Sequence, residues 1–196
     1  MLSAAMPESV RVYLMKDYGA KAAAGDRALV SRRFVADSLK EYLAGKNHDI
    51  PESILTEPVI SYGSHGKPFF ADPLLNGVHF SLSHTKGIAV CAVADTEIGC
   101  DIELTKARKM DSQRAVKIAK RYFAPDEYEM ILSDQAESFF SIWTRKEAYV
   151  KWTGQGFAEG FSSFSVFKLP AHIVCENLHL ADAADTECAI CYAQGM

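Results

Sequence analysis

Ile98-Gly99-Cys100-Asp101-Ile102-Glu103-Leu104 is the stretch on which the reading of this chain turns. It reads as a strand. Side chains alternate along a strand, so Asp101 and Glu103 share one face and Ile102 takes the other. Two carboxylates so placed make a hard oxygen site suited to Mg²⁺, an ion that keeps several waters and borrows phosphate oxygens from a substrate. The plainer alternative is a pair of solvated charges on an exposed strand face, and D-x-E alone is too common to decide.

Downstream, Glu137 to Trp152 carries a strong helical pattern. Within it Trp143, Glu147 and Lys151 are spaced four apart and form one ridge. Either this is a Glu-to-Lys surface pair with Trp143 as an anchor, or Glu147 is a third carboxylate for a metal and Lys151 a cation for a phosphate. Upstream, Phe80-Ser81-Leu82-Ser83-His84-Thr85-Lys86-Gly87 places a hydroxyl, an imidazole and a lysine around a strand connection, the makings of an anion nest. Gly66-Lys67-Pro68-Phe69 adds a cation in a rigid turn beside aromatic surface. Arg27 opens the first long helix, where a surface charge is the ordinary reading.

The remaining elements follow from periodicity and turn chemistry. Val10 to Met15 reads as a strand. Ala22 to Leu43 reads as a helix that Gly45 ends, and Asn47 to Ser61 as a loop followed by a short helix or strand. Gly63 to Pro73 is turn-rich, and Val78 to Ser83 and Ile88 to Ala94 are strands. Ala115 to Phe123 is a helix that stops before Pro125, with a turn or two more over Asp126 to Leu132. Gly154 and Gly156 end the strong helix, and Ser163 to Leu169 and Thr186 to Ala193 are late strands. The order of strand, long helix, turns and strands occurs twice. It predicts an α/β or α+β protein of two halves, 1–99 and 100–196, meeting near residue 99.

Composition sets the class. The 196 residues are 48% hydrophobic and 23% charged, ordinary for a globular protein. A net charge of −4 argues against a dedicated nucleic-acid binder. The longest apolar run, Ile88 to Ala94, is far short of a membrane span, and the first residues lack the pattern of a secretory signal, so a cytoplasmic protein is expected. Five cysteines read as reduced and mostly buried thiols. The lone C-x-x-C of Cys188 and Cys191 has no companion ligand pair for zinc, and on a strand its two side chains point to opposite faces.

Taken together, Gly66-Lys67-Pro68, Ser81-Leu82-Ser83-His84, Ile98 to Glu103 and Trp143-Thr144-Arg145-Lys146-Glu147-Ala148-Tyr149-Val150-Lys151 resemble the surfactin-type (Sfp-type) 4′-phosphopantetheinyl transferases, over roughly residues 20 to 168. The most specific parts are the G-x-D-x-E strand and, about forty residues on, the W-x-x-K-E-x-x-x-K helix. The resemblance implies two pseudo-twofold halves with coenzyme A in the cleft between them. It implies transfer of 4′-phosphopantetheine to a serine of an apo carrier protein. By the matching positions, Asp101, Glu103 and Glu147 would hold Mg²⁺ against the pyrophosphate, and Lys151 would neutralise a phosphate oxygen. Ser83 and His84, with Arg27, would meet the 3′-phosphate, and Lys67 and Pro68 would border the adenine pocket. Glu147 is the candidate base. Two halves in one chain suggest a monomer. The competing readings are a metal-dependent phosphoesterase or nucleotide hydrolase on the same carboxylates, and a coenzyme A-binding module without turnover.

Leu104 to Phe123 holds seven basic residues against one acid, Asp111, so its +6 against a chain total of −4 leaves −10 for the rest. Such a segment beside the metal motif suits steering of an acidic carrier protein. Reversing the charges of Lys106, Arg108 and Lys109 is expected to raise the apparent KM for an acidic carrier and to flatten its salt dependence, with coenzyme A binding unchanged. Steady-state kinetics across ionic strength checks this; indifference to both would make the segment a solvated helix face.

Overall fold

Two apolar faces on each of two short sheets dictate the architecture. A computed structural model describes residues 6–23, 26–46, 49–105, 111–156 and 160–194. The first sheet is formed by β1 (Val10–Lys16), β4 (His79–Thr85) and β5 (Ile88–Ala94) in the order β1-β5-β4. The second is formed by β6 (Ile98–Leu104), β7 (Ile173–Leu178) and β8 (Thr186–Ala193) in the order β6-β8-β7. Every pairing is antiparallel, and each sheet places its last strand centrally. A two-stranded ribbon, β2 (Ile60–Tyr62) with β3 (Pro68–Phe70), stands beside them. The fold is therefore α+β. Among the described residues no helix is long and apolar enough to cross a membrane.

Alternation sorts the side chains into layers. Val90, Ala92 and Ala94 of β5 pack with Ile98, Cys100 and Ile102 of β6 and Cys188 and Ile190 of β8, joining the sheets face to face. On the outer face of the first sheet, Cys91 and Val93 meet Phe34, Val35 and Leu39 of α2 (Arg27–Leu43). On the outer face of the second, Ala189 and Cys191 meet Ala148 of α6 (Phe139–Thr153). The order is helix, sheet, sheet, helix. The helix α1 (Tyr18–Ala23) precedes α2, and α3 (Glu52–Thr56) follows it. The helices α4 (Ser112–Tyr122) and α5 (Pro125–Ser133) pack against α6 through Ala119, Phe123, Ile131, Phe139 and Ile142.

Capping explains the helix limits. Asp26 accepts the Ala28 N–H at 2.8 Å to open α2, and Asp111 accepts the Arg114 N–H at 2.6 Å to open α4. Gly154, at φ 67°, closes α6 in the left-handed region.

Several features depart from the sequence reading. The helix expected over Ala22–Leu43 is two, α1 and then α2 opening at the Asp26 cap, and the turn-rich Gly63–Pro73 includes the strand β3. Ser163 to Leu169 is not a strand: a short 3-10 turn covers Phe161–Ser163, and no strand follows until Ile173. Its backbone is taken by side chains instead, since the Val166 N–H donates to Glu127 and the Phe164 carbonyl accepts from Lys146, each at 2.7 Å. β7 was not anticipated, because Glu176 and Asn177 interrupt its apolar pattern. Asn177 turns to α6, where its side chain bonds Ser141 and Thr144. Finally, Cys175 and Cys191, directly opposite across β7 and β8, are joined as a disulfide rather than standing as two thiols; Cys91, Cys100 and Cys188 are free and buried. Cys188 and Cys191 do point to opposite faces.

Gly99 fixes how closely α6 lies on β6. A Cβ at this position would stand 2.0 Å from the Ala148 carbonyl oxygen and 2.4 Å from the Trp152 nitrogen, both backbone atoms of α6. A glycine inside a strand marks such a close approach. Gly99→Ala is expected to force strand and helix apart, destabilising the fold by about 2–3 kcal/mol, as overpacking does. Urea unfolding checks this, and a cost under about 0.5 kcal/mol would show that the contact yields freely.

Candidate active site

With α6 seated on Gly99, its last two turns stand over the Asp101 face of β6. The edge strands β4 and β6 run side by side at the same place. Ser81 ties them, its hydroxyl accepting the Cys100 N–H at 3.0 Å. Two residues on, the Ser83 hydroxyl donates to Asp101 Oδ1 at 2.8 Å. Lys151 Nζ donates to that same oxygen at 2.8 Å and to Ser83 Oγ at 2.9 Å. Three side chains from three elements thus close a triangle. Burial would lower the Lys151 pKa, but Asp101, Cys100 and Glu147 together outweigh it and hold it above that of a free lysine.

Asp101 is 6% exposed, and its second oxygen, Oδ2, is buried with no hydrogen-bond partner among the described residues. Glu147, one turn before Lys151, faces the same region. Burial pushes its carboxyl up to about 7; the Asp101 and Glu103 carboxylates add to this and Lys151 opposes it. Glu103 shares the Asp101 face of β6 and lies opposite Glu187 of β8. Among the described residues no three His, Cys, Asp or Glu side chains are already gathered as ligands. The donor set nevertheless fits a hard divalent cation: a buried carboxylate oxygen without a donor, and converging carboxylates whose mutual repulsion a positive ion would relieve.

Two cavities meet here. One of about 260 Å³ is lined by Glu147, Lys151, Pro68, Phe80, Ser81 and Leu82, among others. The other, of about 600 Å³, shares Pro68, Phe80 and Leu82 and reaches Arg27, Tyr18 and His84. The two adjoin at these shared residues, one holding Glu147 and Lys151 and the other Arg27 and His84. In the second the Tyr18 ring stacks on His84, centroids 4.8 Å apart, and the Tyr18 hydroxyl is hydrogen-bonded to Ser31 Oγ at 2.9 Å. Burial lowers the His84 pKa below its usual value, and Arg27 and Lys151 add to this.

The structure brings Ser83, Asp101, Glu147 and Lys151 together and sets Arg27 and His84 on the second cavity, with Pro68 shared by both; Ser83, expected beside His84 at the 3′-phosphate, is bonded instead to Asp101 and Lys151. Lys67 differs: its ammonium points away, to Glu97 and to the Trp152 carbonyl. Lys106, Arg108 and Lys109 lie outside the described residues. Among the described basic residues of that segment, Arg114, Lys117, Lys120 and Arg121 are exposed on α4.

Sequence reasoning missed Tyr18, the Ser81 tie and the role of Lys146. Lys146 is wholly buried, donating to Glu127 Oε2 and to the Phe164 carbonyl, both at 2.7 Å, with Phe164 ring 4.0 Å away. Glu127, also wholly buried, accepts the Ala124 and Val166 N–H groups. Every lone pair and proton of note is used, as a buried pair requires. The signal was there: α6 is apolar on most sides, so a charge in its middle needs a partner.

Comparison with known proteins points one way. Residues 97–191 match the model of the 4′-phosphopantetheinyl transferase superfamily. The chain is 33% identical over 150 residues to a 4′-phosphopantetheinyl transferase of Bacillus subtilis, a match covering 74% of this chain and 62% of the relative. It is 35% identical over 160 residues to the 4′-phosphopantetheinyl transferase HetI of Nostoc sp., covering 74% and 65%. It is 35% identical over 137 residues to the 4′-phosphopantetheinyl transferase AcpT of Escherichia coli, covering 66% and 67%. The chain thus spans somewhat under two thirds of the length of the first two relatives.

The Arg27–His84 cavity makes a pH-dependent prediction. His84 is held neutral near pH 7 by burial and by neighbouring cations. An anion between it and Arg27 would raise its pKa, so the complex binds more protons than the free protein and affinity rises as pH falls. Sulfate, which does not titrate here, is expected to bind more tightly at pH 5.5 than at pH 8. His84→Ala should abolish that trend and weaken acid-side binding about tenfold or more. Titration followed by NMR checks both, and a flat pH profile in the unmodified protein would remove His84 from the anion site.

Proposed function

The chain belongs to the 4′-phosphopantetheinyl transferase superfamily, and on that premise we propose that it transfers 4′-phosphopantetheine from coenzyme A to a serine of an apo acyl or peptidyl carrier protein, leaving adenosine 3′,5′-bisphosphate. One observation carries the reading. Asp101, Ser83 and Lys151 are hydrogen-bonded to one another, Lys151 and Glu147 line one cavity, and the adjoining cavity holds Arg27 and His84. That suits a ligand with a pyrophosphate at one end and a separate phosphate at the other.

In this reading residues 1–99 supply the adenine and 3′-phosphate contacts, with Pro68 beside the base and Arg27 and His84 on the phosphate. Residues 100–196 supply the catalytic groups. Asp101, Glu103 and Glu147 would hold Mg²⁺, which when bound neutralises pyrophosphate charge. The carrier serine attacks the phosphorus nearer the pantetheine, and the bond to the oxygen of the leaving bisphosphate breaks. Lys151 meets the charge that grows on the leaving phosphate, an interaction stronger in the transition state than in the ground state. Ser83 and Asp101 hold its ammonium in place beforehand. Glu147 is the candidate base for the serine proton. The exposed basic face of α4 continues the segment assigned to an acidic carrier. The enzyme acts in the cytoplasm as a monomer on this proposal.

Incubation with coenzyme A, Mg²⁺ and an apo carrier protein, followed by intact mass measurement, is expected to show a phosphopantetheine adduct on the carrier; no adduct would remove the proposal. Asp101→Ala and excess chelator should each abolish it. Glu147→Gln should lower kcat by about 10²–10⁴-fold while changing coenzyme A affinity far less. Single-turnover rates beside calorimetry separate the two, and near-normal turnover would return Glu147 to a structural role.

A further inference from the structure

Lys67 lines the cleft with its stem, yet its ammonium serves another purpose. It donates to the Trp152 carbonyl at 2.6 Å and pairs with the Glu97 carboxylate, whose other oxygen lies 3.2 Å from His79 Nδ1. Three elements meet at that point. β4 begins at His79, Glu97 lies in the link into β6, and α6 closes at Thr153. Of these, β4 carries Ser83 and α6 carries Lys151, and the link runs directly into β6, which carries Asp101.

The chemistry suits a clamp. Trp152 holds one of the last carbonyls of α6, which no intrahelical N–H can reach. A lysine donor satisfies it and complements the negative end of the helix dipole. The Lys67 side chain is only 18% exposed, so water does not readily replace it. A second, independent observation concerns Gly154. A Cβ there would stand 2.8 Å from Lys67 Cδ, so this residue closes the helix and also leaves the channel through which the Lys67 stem passes.

We propose that Lys67 is a positioning residue for the transfer step: it fastens the carbonyl end of α6 to the start of β4 and to the link between β5 and β6, and so sets Lys151 and Glu147 over Asp101. Its consequence for turnover rests on the transferase reading; the clamp itself does not. Lys151 is the residue immediately before the clamped carbonyl, so displacement of that last turn moves the ammonium directly. A misplacement of about 1 Å at a reacting group costs on the order of a hundredfold in rate.

The test uses Lys67→Met, which keeps a long apolar stem and removes the charge, and Glu97→Gln, which loosens the same clamp from its exposed side and is the variant to rely on should Lys67→Met not fold. Three quantities are measured: backbone amide exchange over residues 150–154, affinity for adenosine 3′,5′-bisphosphate by calorimetry, and the single-turnover transfer rate. In Lys67→Met, exchange over the last turn of α6 should quicken about tenfold and transfer should fall ten- to a hundredfold, with bisphosphate affinity within about twofold. Glu97→Gln should shift exchange and transfer the same way by less. Adding Lys67→Met to Lys151→Ala should cost little more than Lys151→Ala alone, because both act through one side chain. Unchanged exchange in both variants overturns the clamp. A bisphosphate affinity that falls as far as the rate does makes Lys67 a ligand contact and overturns it too. Should the unmodified protein transfer nothing, the transferase reading falls, while amide exchange still decides the clamp.

Discussion

The backbone of α6 rests on the Cα of Gly99, and the rest of the site is built outward from that contact. A helix normally keeps 8–10 Å from its neighbour because side chains intervene; at residue 99 there is none to do so. The approach puts Asp101, two residues along β6, beneath the last turns of α6, and it is why a long lysine on that helix reaches the aspartate by direct hydrogen bond. It also buries Asp101, whose Oδ2 has no donor among the described residues. The packing of Ala148 against Ala189 and Cys191 extends the same logic, with small side chains wherever helix and sheet are closest.

A helix so deeply seated must account for each charge it carries. Lys146 is neutralised completely by Glu127, and together they pin α5 and the 164–166 segment to α6. Removing either partner from such a pair leaves an uncompensated buried charge and costs about 3–5 kcal/mol. Arg145 lays its guanidinium over the Phe167 ring, 5.3 Å from its centroid, while its Nε donates to the Ser141 carbonyl at 3.3 Å. Glu147 and Lys151 are handled differently. They face the Asp101 and Glu103 carboxylates, Lys151 bonded to Asp101 and Glu147 with its pKa raised by burial and by those two charges.

The cleft lies where the edge strands of the two sheets, β4 and β6, run beside each other without forming a backbone ladder. An open edge is a hazard for any sheet. Here the Ser81 hydroxyl satisfies the Cys100 N–H, and Ser83 bonds Asp101, so the edges are closed by side chains. Each sheet therefore lends a strand to the site, and neither could assemble it alone.

The sequence by itself determined the strand at Ile98–Leu104, the shared face of Asp101 and Glu103, and the ridge of Trp143, Glu147 and Lys151. These follow from periods of two and four residues, which are properties of the local backbone. It also determined the limits of β5, an apolar run bounded by Gly87 and Asp95. What only the tertiary structure decided depends on distant partners. Ser163–Leu169 has the composition of a strand, but Glu127 and Lys146 claim its backbone groups. Ile173–Leu178 lacks a strand's alternation, yet the free edge of β8 recruits it. Lys67 sits beside the cleft in the sequence pattern, but a helix end eighty-five residues away takes its ammonium. The glycine at 99 was visible as a letter in a motif; that the space above it belongs to the backbone of α6 is knowable only once the chain has folded.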